Sequence, residues 1–261
     1  NGDLYSPIRW SFAQPKARFF AVYPNAESYA KMTINNTDAT SGSPSVDFEV
    51  NSDVTKQVDL MTACTGDVEY ATQFQQPTTK LDFRHALTGI RFAVGQNLSW
   101  NKTIDKVELR GAVMKSKYVL SKQFDGNGAD WDHSNDTRGN ATLSGVSVST
   151  SANPNVTIMG NAGDNYTFYM IPQQLTGHVT AYVHCTDGTE ITVPLKGEWK
   201  AGTTRTYKLS QTTRAVRLIM MKPSRRHTVS QVIVKTRQHT SSRLSHGKSL
   251  AMMPITMVLS L

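Results

Sequence analysis

The chain has 261 residues and a formal net charge of +8, and this length accommodates two domains of ordinary size. The basicity lies in residues 211–261, with 9 Lys and Arg and no acid, whereas residues 1–210 hold 19 Lys and Arg and 20 acids, so no basic stripe points to nucleic acid as a partner. No run of about 18 apolar residues predicts a membrane span and no leader opens the chain, so we expect a soluble protein, although a secreted precursor stripped of its leader would begin in the same way.

The spacing of apolar residues predicts an all-β protein, because they recur at every second position along most of the chain. The first short strands are predicted at 17–24, 46–50 and 57–61, separated by segments rich in turn-forming residues. The polar segment 73–80, which contains Pro77, is typical of a linker.

The alternation changes phase in the segment LDFRHALTGIRFAVG, residues 81–95. The first apolar set shares one parity and the second set shares the other, with Gly89 between them: Leu81, Phe83, His85 and Leu87, then Ile90, Phe92 and Val94. A shift of one residue at a glycine predicts a β-bulge or strand kink at Gly89, because it keeps the same face inward.

Further strands follow along the chain. Alternating apolar residues predict strands around Val107 and Leu109, around Tyr118 and Leu120, and over 166–172. Segment 178–195 predicts a hairpin with a type I′ turn at Asp187-Gly188. Segment 198–210 predicts a turn at Ala201-Gly202 and then a strand with Tyr207 and Leu209 on one face.

The number of strands indicates how the chain is organised. About seven short strands after the linker are typical of a β-sandwich. The segment before the linker has fewer convincing strands and is interpreted as part of a second sandwich that lacks its first strands. We therefore expect an N-terminal domain over 1–78, a C-terminal domain over 79–210 and an atypical basic tail over 211–261.

Five motifs, in this order and at these separations, resemble the fimbrillin family: RFFAVYP, QVDLMTA, LDFRHALTGIRF, FYMIPQ and EWKAGTTRTYKLS. The resemblance covers roughly residues 10–210. It implies two tandem transthyretin-like (Greek-key) β-sandwich domains, the first incomplete at its start.

The resemblance also implies a function. Fimbrillins are subunits of type V pili, and related surface lipoproteins, of anaerobic Gram-negative bacteria. We therefore expect a non-enzymatic pilus subunit or adhesin, exported to the cell surface and held at the outer membrane by a lipid anchor outside this sequence. Its expected partners are other subunits or copies of itself, joined by strand exchange after proteolytic removal of an N-terminal segment, and surface ligands of host or bacterial cells. A strand-deleted sandwich can be completed by a partner's strand on physical grounds as well.

The tail departs from the family pattern after Leu209. Three interpretations remain open: a genuine basic extension, a disordered end, or a reading-frame error in the source sequence. The abrupt change of composition favours the reading-frame error. An unbroken reading frame through codon 211, or a native protein whose mass includes the tail, would rule it out.

His85 is the most conspicuous residue for catalysis, but no nucleophile or metalloprotease motif accompanies it. A histidine with satisfied ring nitrogens at the rim of a sandwich is the favoured interpretation. His85 also lies where the fimbrillin HAL signature is found, so the resemblance implies a structural role. No catalytic residue, cofactor-binding residue, metal ligand or cofactor is predicted.

Three groups of side chains raise the question of a metal site. His178 and His184 are some 20 Å apart on a regular strand, at about 3.3 Å per residue, and cannot share one ion. The loop DGNGADWD, with Asp125, Asn127, Asp130 and Asp132, departs from the order of an EF-hand, so an exposed loop is favoured over a calcium site. Cys64 and Cys185 are interpreted as two small buried thiols.

A glycan-binding module is the alternative function, and it requires aromatic faces on an exposed patch. Trp100 and Trp131 meeting on one such patch would support it, but core roles are favoured for the four tryptophans. A secreted enzyme on a sandwich scaffold is a third hypothesis, and it would need a cluster of carboxylates in one cleft.

Overall fold

The computed structural model describes residues 15–35, 42–69, 78–95, 101–150, 166–212, 215–220, 223–225, 232–235 and 256–260. These residues form an almost entirely β structure, which confirms the predicted fold class. Among them the helices are limited to the 3₁₀ turns Ala26–Ser28 and Val54–Lys56, and none is long and apolar enough to span a membrane.

The strands are numbered in chain order: β1 Lys16–Tyr23, β2 Met32–Asn35, β3 Ser45–Glu49, β4 Met61–Cys64, β5 Val68–Glu69, β6 Thr78–Leu81, β7 Arg84–His85, β8 Thr88–Val94, β9 Thr103–Val119, β10 Asp130–Ser149, β11 Phe168–Met170, β12 Gln173–Cys185, β13 Glu190–Trp199, β14 Thr203–Thr212, β15 Ala215–Met220, β16 Ser224–Arg225, β17 Val232–Lys235 and β18 Thr256–Ser260.

The strands form three larger sheets and one isolated pair. The first sheet has the order β18-β1-β4-β7, with β5 also on β1; the second has the order β13-β12-β9-β3-β2, with β10 also on β9. The third has the order β11-β8-β14-β15, with β16 also on β14, and β17 pairs with β6 alone. Among the described strands the pairing is antiparallel, except between β8 and β14, which run parallel.

The 17-residue strand β9 organises the second sheet by changing partners along its length. Its first half pairs with β12 from Ile104 to Arg110, and its last residues pair with β3 from Lys115 to Val119. Gly111 lies at the change, with a positive φ of 74°. A side chain at this position would collide with the carbonyl oxygen of His178, so the close approach of β9 and β12 requires glycine. The separate strands predicted in this region are therefore one strand.

One main core cluster draws residues from all three larger sheets. It includes Phe20 of β1, Phe92 of β8 and Leu109 of β9, each 0 to 1% exposed. Phe48, which precedes the predicted linker, lies edge-on to Trp131 in the same cluster, with ring centroids 6.3 Å apart. Residues on both sides of position 78 thus share one core.

The domain limits 1–78, 79–210 and 211–261, and the tandem transthyretin-like arrangement, stay predictions. Most of the predicted linker lies in residues 70–77, outside the described residues. The tail contributes β15 to β18 to the described structure.

The predicted strands at 17–24 and 46–50 are confirmed as β1 and β3, but the third is wrong in its start. β4 begins at Met61, because the chain before it makes a turn instead of extending. Gln57 closes that turn: its backbone N–H donates to the carbonyl of Val54 at 3.2 Å, and its side-chain amide donates to the carbonyl of Asn51 at 2.8 Å.

The phase change near Gly89 has a different cause from the predicted bulge. β7 belongs to the first sheet and β8 to the third, so the chain passes between sheets at Ala86 and Leu87. Gly89 itself lies in regular pairing, opposite Tyr169 on one side and Thr204 on the other. A move to another sheet changes which parity faces the core, as a bulge would.

The hairpin of β12 and β13 is confirmed, but its turn is not type I′. Gly188 donates its N–H to the carbonyl of Cys185 at 2.9 Å and has a positive φ of 84°. Asp187 is not among the described non-glycine residues of positive φ, where only Asn101 occurs. The loop is therefore a type I turn over Thr186 and Asp187, followed by a left-handed glycine.

The 20-residue strand β10 was not predicted at all. In the described structure it pairs with β9, and a single bridge joins its Thr142 to Asp53. Its buried side chains are few, Trp131, Ala141 and Leu143, and four irregularities interrupt its register. An irregular, mostly exposed strand carries little apolar alternation, so its sequence resembles a loop.

Candidate assembly interface

Strand β1 has neighbours along both of its edges. β4 pairs with one edge through Phe20 to Tyr23, and β5 continues along it. β18 lies antiparallel along the other edge, with Arg18 opposite Ser260 and Val22 opposite Thr256. We call this second edge, over the backbone of Arg18 to Val22, the acceptor edge. Residues from the far end of the chain complete it, and without a neighbouring strand its backbone groups would be unpaired.

Both faces of β1 are buried. Phe20 and Val22 point into the main core cluster. On the opposite face Ala21, 0% exposed, belongs to a second cluster together with Met61, Ala63, Leu81 and Phe83. A strand covered on both faces requires a continuous apolar run, and the run Phe19–Val22 meets this requirement.

On the side of β4, side-chain contacts stabilise β1 in addition to the backbone hydrogen bonds of the sheet. The hydroxyl of Thr65 accepts a hydrogen bond from the N–H of Phe19 at 3.0 Å, and the N–H of Thr65 donates to the carbonyl of Phe19 at 3.0 Å. Arg18 forms an ion pair with Asp67. These contacts hold β1 in place from one side and leave its acceptor edge facing away from β4.

Two other strands, β14 and β6, pair at one edge with strands from the basic tail. β15 lies antiparallel on β14, from Tyr207 opposite Met220 to Thr212 opposite Ala215. β17 lies antiparallel on β6, with Leu81 opposite Val232. β14 differs from β1 in its side chains, because burial alternates along it: Arg205, Tyr207 and Leu209 are buried, whereas Thr206 and Lys208 are partly exposed.

His85 lies away from the acceptor edge, in β7 opposite Met61. Its ring Nδ1 is 2.6 Å from Oδ2 of Asp59, and the two side chains are 10% and 15% exposed. The described residues contain no group of three or more His, Cys, Asp or Glu side chains that could hold a metal ion. The pairing with Asp59 supports the structural interpretation of His85.

The segment 85–88, which we call the crossover segment, carries the chain from the first sheet to the third. Four hydrogen bonds from different parts of the fold hold it in place. They are Ala86 N–H to Leu60 C=O at 2.8 Å, Gly202 N–H to Leu87 C=O at 3.1 Å, Trp131 Nε1–H to Ala86 C=O at 2.8 Å and Thr88 Oγ1–H to Lys200 C=O at 2.7 Å. The HAL motif is therefore a junction where three sheets are tied together.

The tryptophans in the described structure are core residues. Trp131 is 5% exposed, and its ring packs against Tyr118 at a centroid distance of 5.0 Å. Trp199 is 2% exposed and donates Nε1–H to the hydroxyl of Tyr207 at 3.0 Å. Trp10 and Trp100 lie outside the described residues. The exposed patch of Trp100 and Trp131 on which the glycan-binding alternative depended is therefore excluded, because Trp131 is buried.

His178 and His184 have different surroundings. Nδ1 of His184 is 2.6 Å from Oδ1 of Asp105. His178 is exposed and lies in an irregularity of β12 between Thr176 and Thr180. That the two histidines are too far apart to share one metal ion stays a prediction.

The loop that resembled a calcium site uses its polar groups locally. Asp125 accepts from the backbone N–H of Asn127 at 2.9 Å, and Asp130 accepts from the N–H of Trp131 at 2.8 Å. Hydrogen bonds from the side chain and backbone of Ser134 lower the pKa of Asp132. The carboxylates thus serve turns and the start of β10 instead of converging on one point.

Cys64 and Cys185 are both free and buried. Both belong to the main core cluster, and burial raises the pKa of each thiol. This confirms their interpretation as small core residues.

Sequence reasoning identified β1 as a strand but missed its second partner. The signal was present in the four consecutive apolar residues Phe19–Val22, since such a run indicates burial on both faces. Elsewhere in the chain the apolar residues alternate, which indicates strands with one buried face.

A sequence profile described as fimbrillin-like matches residues 4–223 of the chain, so the match continues past residue 210 into the basic tail. No curated protein matches the chain.

Solved structures resemble the fold. A fimbrial protein from Bacteroides vulgatus ATCC 8482 matches with a TM-score of 0.53 and 18% identity, over 79% of this chain and 76% of that chain. A candidate cell adhesion protein from Bacteroides uniformis ATCC 8492 matches with a TM-score of 0.46 and 14% identity, over 81% and 73% of the two chains. Another from Bacteroides ovatus ATCC 8483 has a TM-score of 0.47 and 13% identity, over 82% and 69%.

Proposed function

The chain belongs to the fimbrillin-like family, and on that premise we propose that it is a non-enzymatic fimbrial subunit or adhesin that joins its partners by β-strand complementation. The observation that carries the proposal is the acceptor edge of β1. In this chain residues 256–260 complete that edge in antiparallel register, so its geometry accepts an added strand.

The physical basis is the pairing of backbone groups. An edge strand presents a row of N–H and C=O groups, and a partner's strand satisfies them with main-chain hydrogen bonds. The strand at this edge comes from a segment far away in sequence, so nothing in the local connection of β1 requires it to come from the same molecule. The equivalent strand of a second subunit can occupy the same edge, which links one subunit to the next.

A cell-surface location follows from this proposed role. A fimbrial subunit works outside the cell, so we propose export to the cell surface, with attachment at the outer membrane through a lipid anchor. Surface ligands of host or bacterial cells complete the proposed set of partners. Family membership supports the surface location, and the fold similarity to the Bacteroides vulgatus fimbrial protein supports the scaffold.

Assembly of the processed protein tests the proposal. The complete precursor is expressed, treated with an arginine- or lysine-specific protease, and observed by negative-stain electron microscopy and size-exclusion chromatography. We expect filaments or a ladder of oligomers after processing. A synthetic peptide with the sequence of residues 254–261 in excess should shorten the filaments, whereas a scrambled peptide of the same composition should not. Monomers that persist after clean processing would contradict a role as a stalk subunit.

A further inference from the structure

We infer that the acceptor edge selects a partner strand that is apolar on both of its faces, and not the alternating strand that most sheet edges take. The inference rests on the proposed function, because it specifies the strand that the proposed partner must supply. The partner is an extended segment with about three consecutive apolar residues at its centre and a polar residue tolerated at the end that lies opposite Arg18.

The first face of the site belongs to the main core cluster. Phe20 and Val22 are 1% and 0% exposed and lie on this face. A strand added at the acceptor edge continues the sheet, so its residue opposite Phe20 shares that face. An apolar side chain there extends the core, whereas a charged one would be withdrawn from water without a partner.

The second face belongs to the smaller cluster, which is separate from the main core. Ala21 lies on it with 0% exposure, beside Leu81 and Phe83, which are 0% and 3% exposed. These two residues come from β6 and the segment after it, so they cover the face of the first sheet that a simple two-layer sandwich would leave to solvent. A partner residue opposite Ala21 is therefore also adjacent to an apolar layer.

The Arg18 end of the edge is different. Arg18 lies at one end, with a side chain 23% exposed and paired with Asp67, and Lys16 beyond it is exposed. Polar residues fit opposite this end. The segment that occupies the edge in this chain has this pattern in its sequence, Thr256-Met257-Val258-Leu259-Ser260, with three apolar residues between two hydroxyl residues.

The edge of β14, where β15 pairs, differs from the acceptor edge of β1 in its burial pattern. Burial alternates along β14, with Tyr207 and Leu209 buried and Thr206 and Lys208 partly exposed. A strand added there has one face toward the core and one toward water, so it needs alternation. The two edges of the same molecule therefore require different partner sequences, and an alternating strand is excluded from β1 by the second apolar layer.

Peptide binding to the full-length chain tests the inference. The acceptor is the chain carrying M257P and V258P, because proline removes the backbone N–H and weakens β18 at the acceptor edge. The probe is a labelled peptide with the sequence of residues 254–261. Its variants carry Met257→Lys, opposite Ala21, or Val258→Lys, opposite Phe20; the matched control carries Ser260→Gln, opposite Arg18. Affinity is measured by fluorescence anisotropy, and hydrogen exchange of the fragment that covers β1 locates the bound peptide.

We expect the parent peptide to bind and to protect the amides of β1. Each lysine variant should bind at least about tenfold more weakly, because a charge enters an apolar layer, and the Ser260→Gln control should stay within about threefold. Equal binding by the Met257→Lys peptide would overturn the inference of a second apolar face and leave strand capture standing. Failure of the parent peptide to bind or to protect β1 would overturn strand capture at this edge, and with it the proposed function.

Discussion

The indole Nε1 of Trp131 donates a hydrogen bond of 2.8 Å to the carbonyl oxygen of Ala86. Trp131 lies near the start of β10 in the second sheet, and Ala86 lies where the chain passes from the first sheet to the third. One buried hydrogen bond therefore joins all three sheets at the crossover segment. The HAL motif is explained by this junction without assigning any chemistry to His85.

Replacing Trp131 with Phe should destabilise the protein by about 1–3 kcal/mol, because it leaves the buried carbonyl of Ala86 without this donor while keeping an aromatic ring. Urea denaturation followed by circular dichroism measures the change in the free energy of unfolding. Phe124→Leu is the control, since Phe124 is 38% exposed and its loss should change stability by no more than about 0.5 kcal/mol. Equal stability of W131F and the parent protein would argue against the junction.

Replacing His85 with Gln should cost about 0.5–1.5 kcal/mol, the usual contribution of a hydrogen bond, because the pair with Asp59 is largely buried. His133→Gln is the matched control. Its ring lies 2.8 Å from Asp136, but the histidine side chain is 42% exposed, so the change should stay below about 0.5 kcal/mol. We expect assembly and adhesion at the cell surface to be unchanged in H85Q. Selective loss of a measurable hydrolytic activity, with stability unchanged, would show that the structural interpretation is wrong.

Gly111→Ala should destabilise the protein by more than about 2 kcal/mol, since the new methyl group meets the carbonyl of His178 and the φ of 74° is strained for alanine. Gly145→Ala separates the two effects. Gly145 has a similar φ of 75° but no atom within 4 Å of an added Cβ, so only the backbone cost of about 1–2 kcal/mol remains. Chemical denaturation of both variants gives the comparison. A loss in G111A no larger than in G145A would contradict the close approach of β9 and β12.

Asp187→Asn should weaken the β12–β13 hairpin in a pH-dependent way. A hydrogen bond from Lys102, followed by bonds from Thr189, lowers the pKa of Asp187 to about 2. Because the folded-state pKa lies below the ordinary value of 3.8, the carboxylate stabilises the fold above that value, and this contribution is lost as the pH falls toward 2.

The measurement is the urea midpoint of the parent protein and of D187N at several pH values. The two midpoints should differ at neutral pH and converge between pH 4 and pH 2. Lys102→Met should reduce the difference at neutral pH, since it removes the first cause of the lowered pKa. A difference that stays constant down to pH 2 would contradict this assignment.

The sequence was informative where one face of a strand is buried and the other is exposed to solvent. The strand with Tyr207 and Leu209 on one face, and the hairpin after His178, were both predicted because alternation and turn residues coincide there. It was misleading where the strand is irregular, as in β10, or where the chain changes sheets, as at Ala86. In these places the same residue pattern has more than one structural cause.

Apolar spacing by itself determined that this protein is built from β-strands, where most of them lie and which side chains face a core. The tertiary structure alone decided which strands are neighbours, that β9 divides its length between two partners, and that β1 carries an acceptor edge between two apolar layers. The physical reason is that side chains encode burial, whereas strand pairing uses backbone N–H and C=O groups that are nearly the same in every residue. The choice of neighbour is therefore made by the packing of the whole molecule.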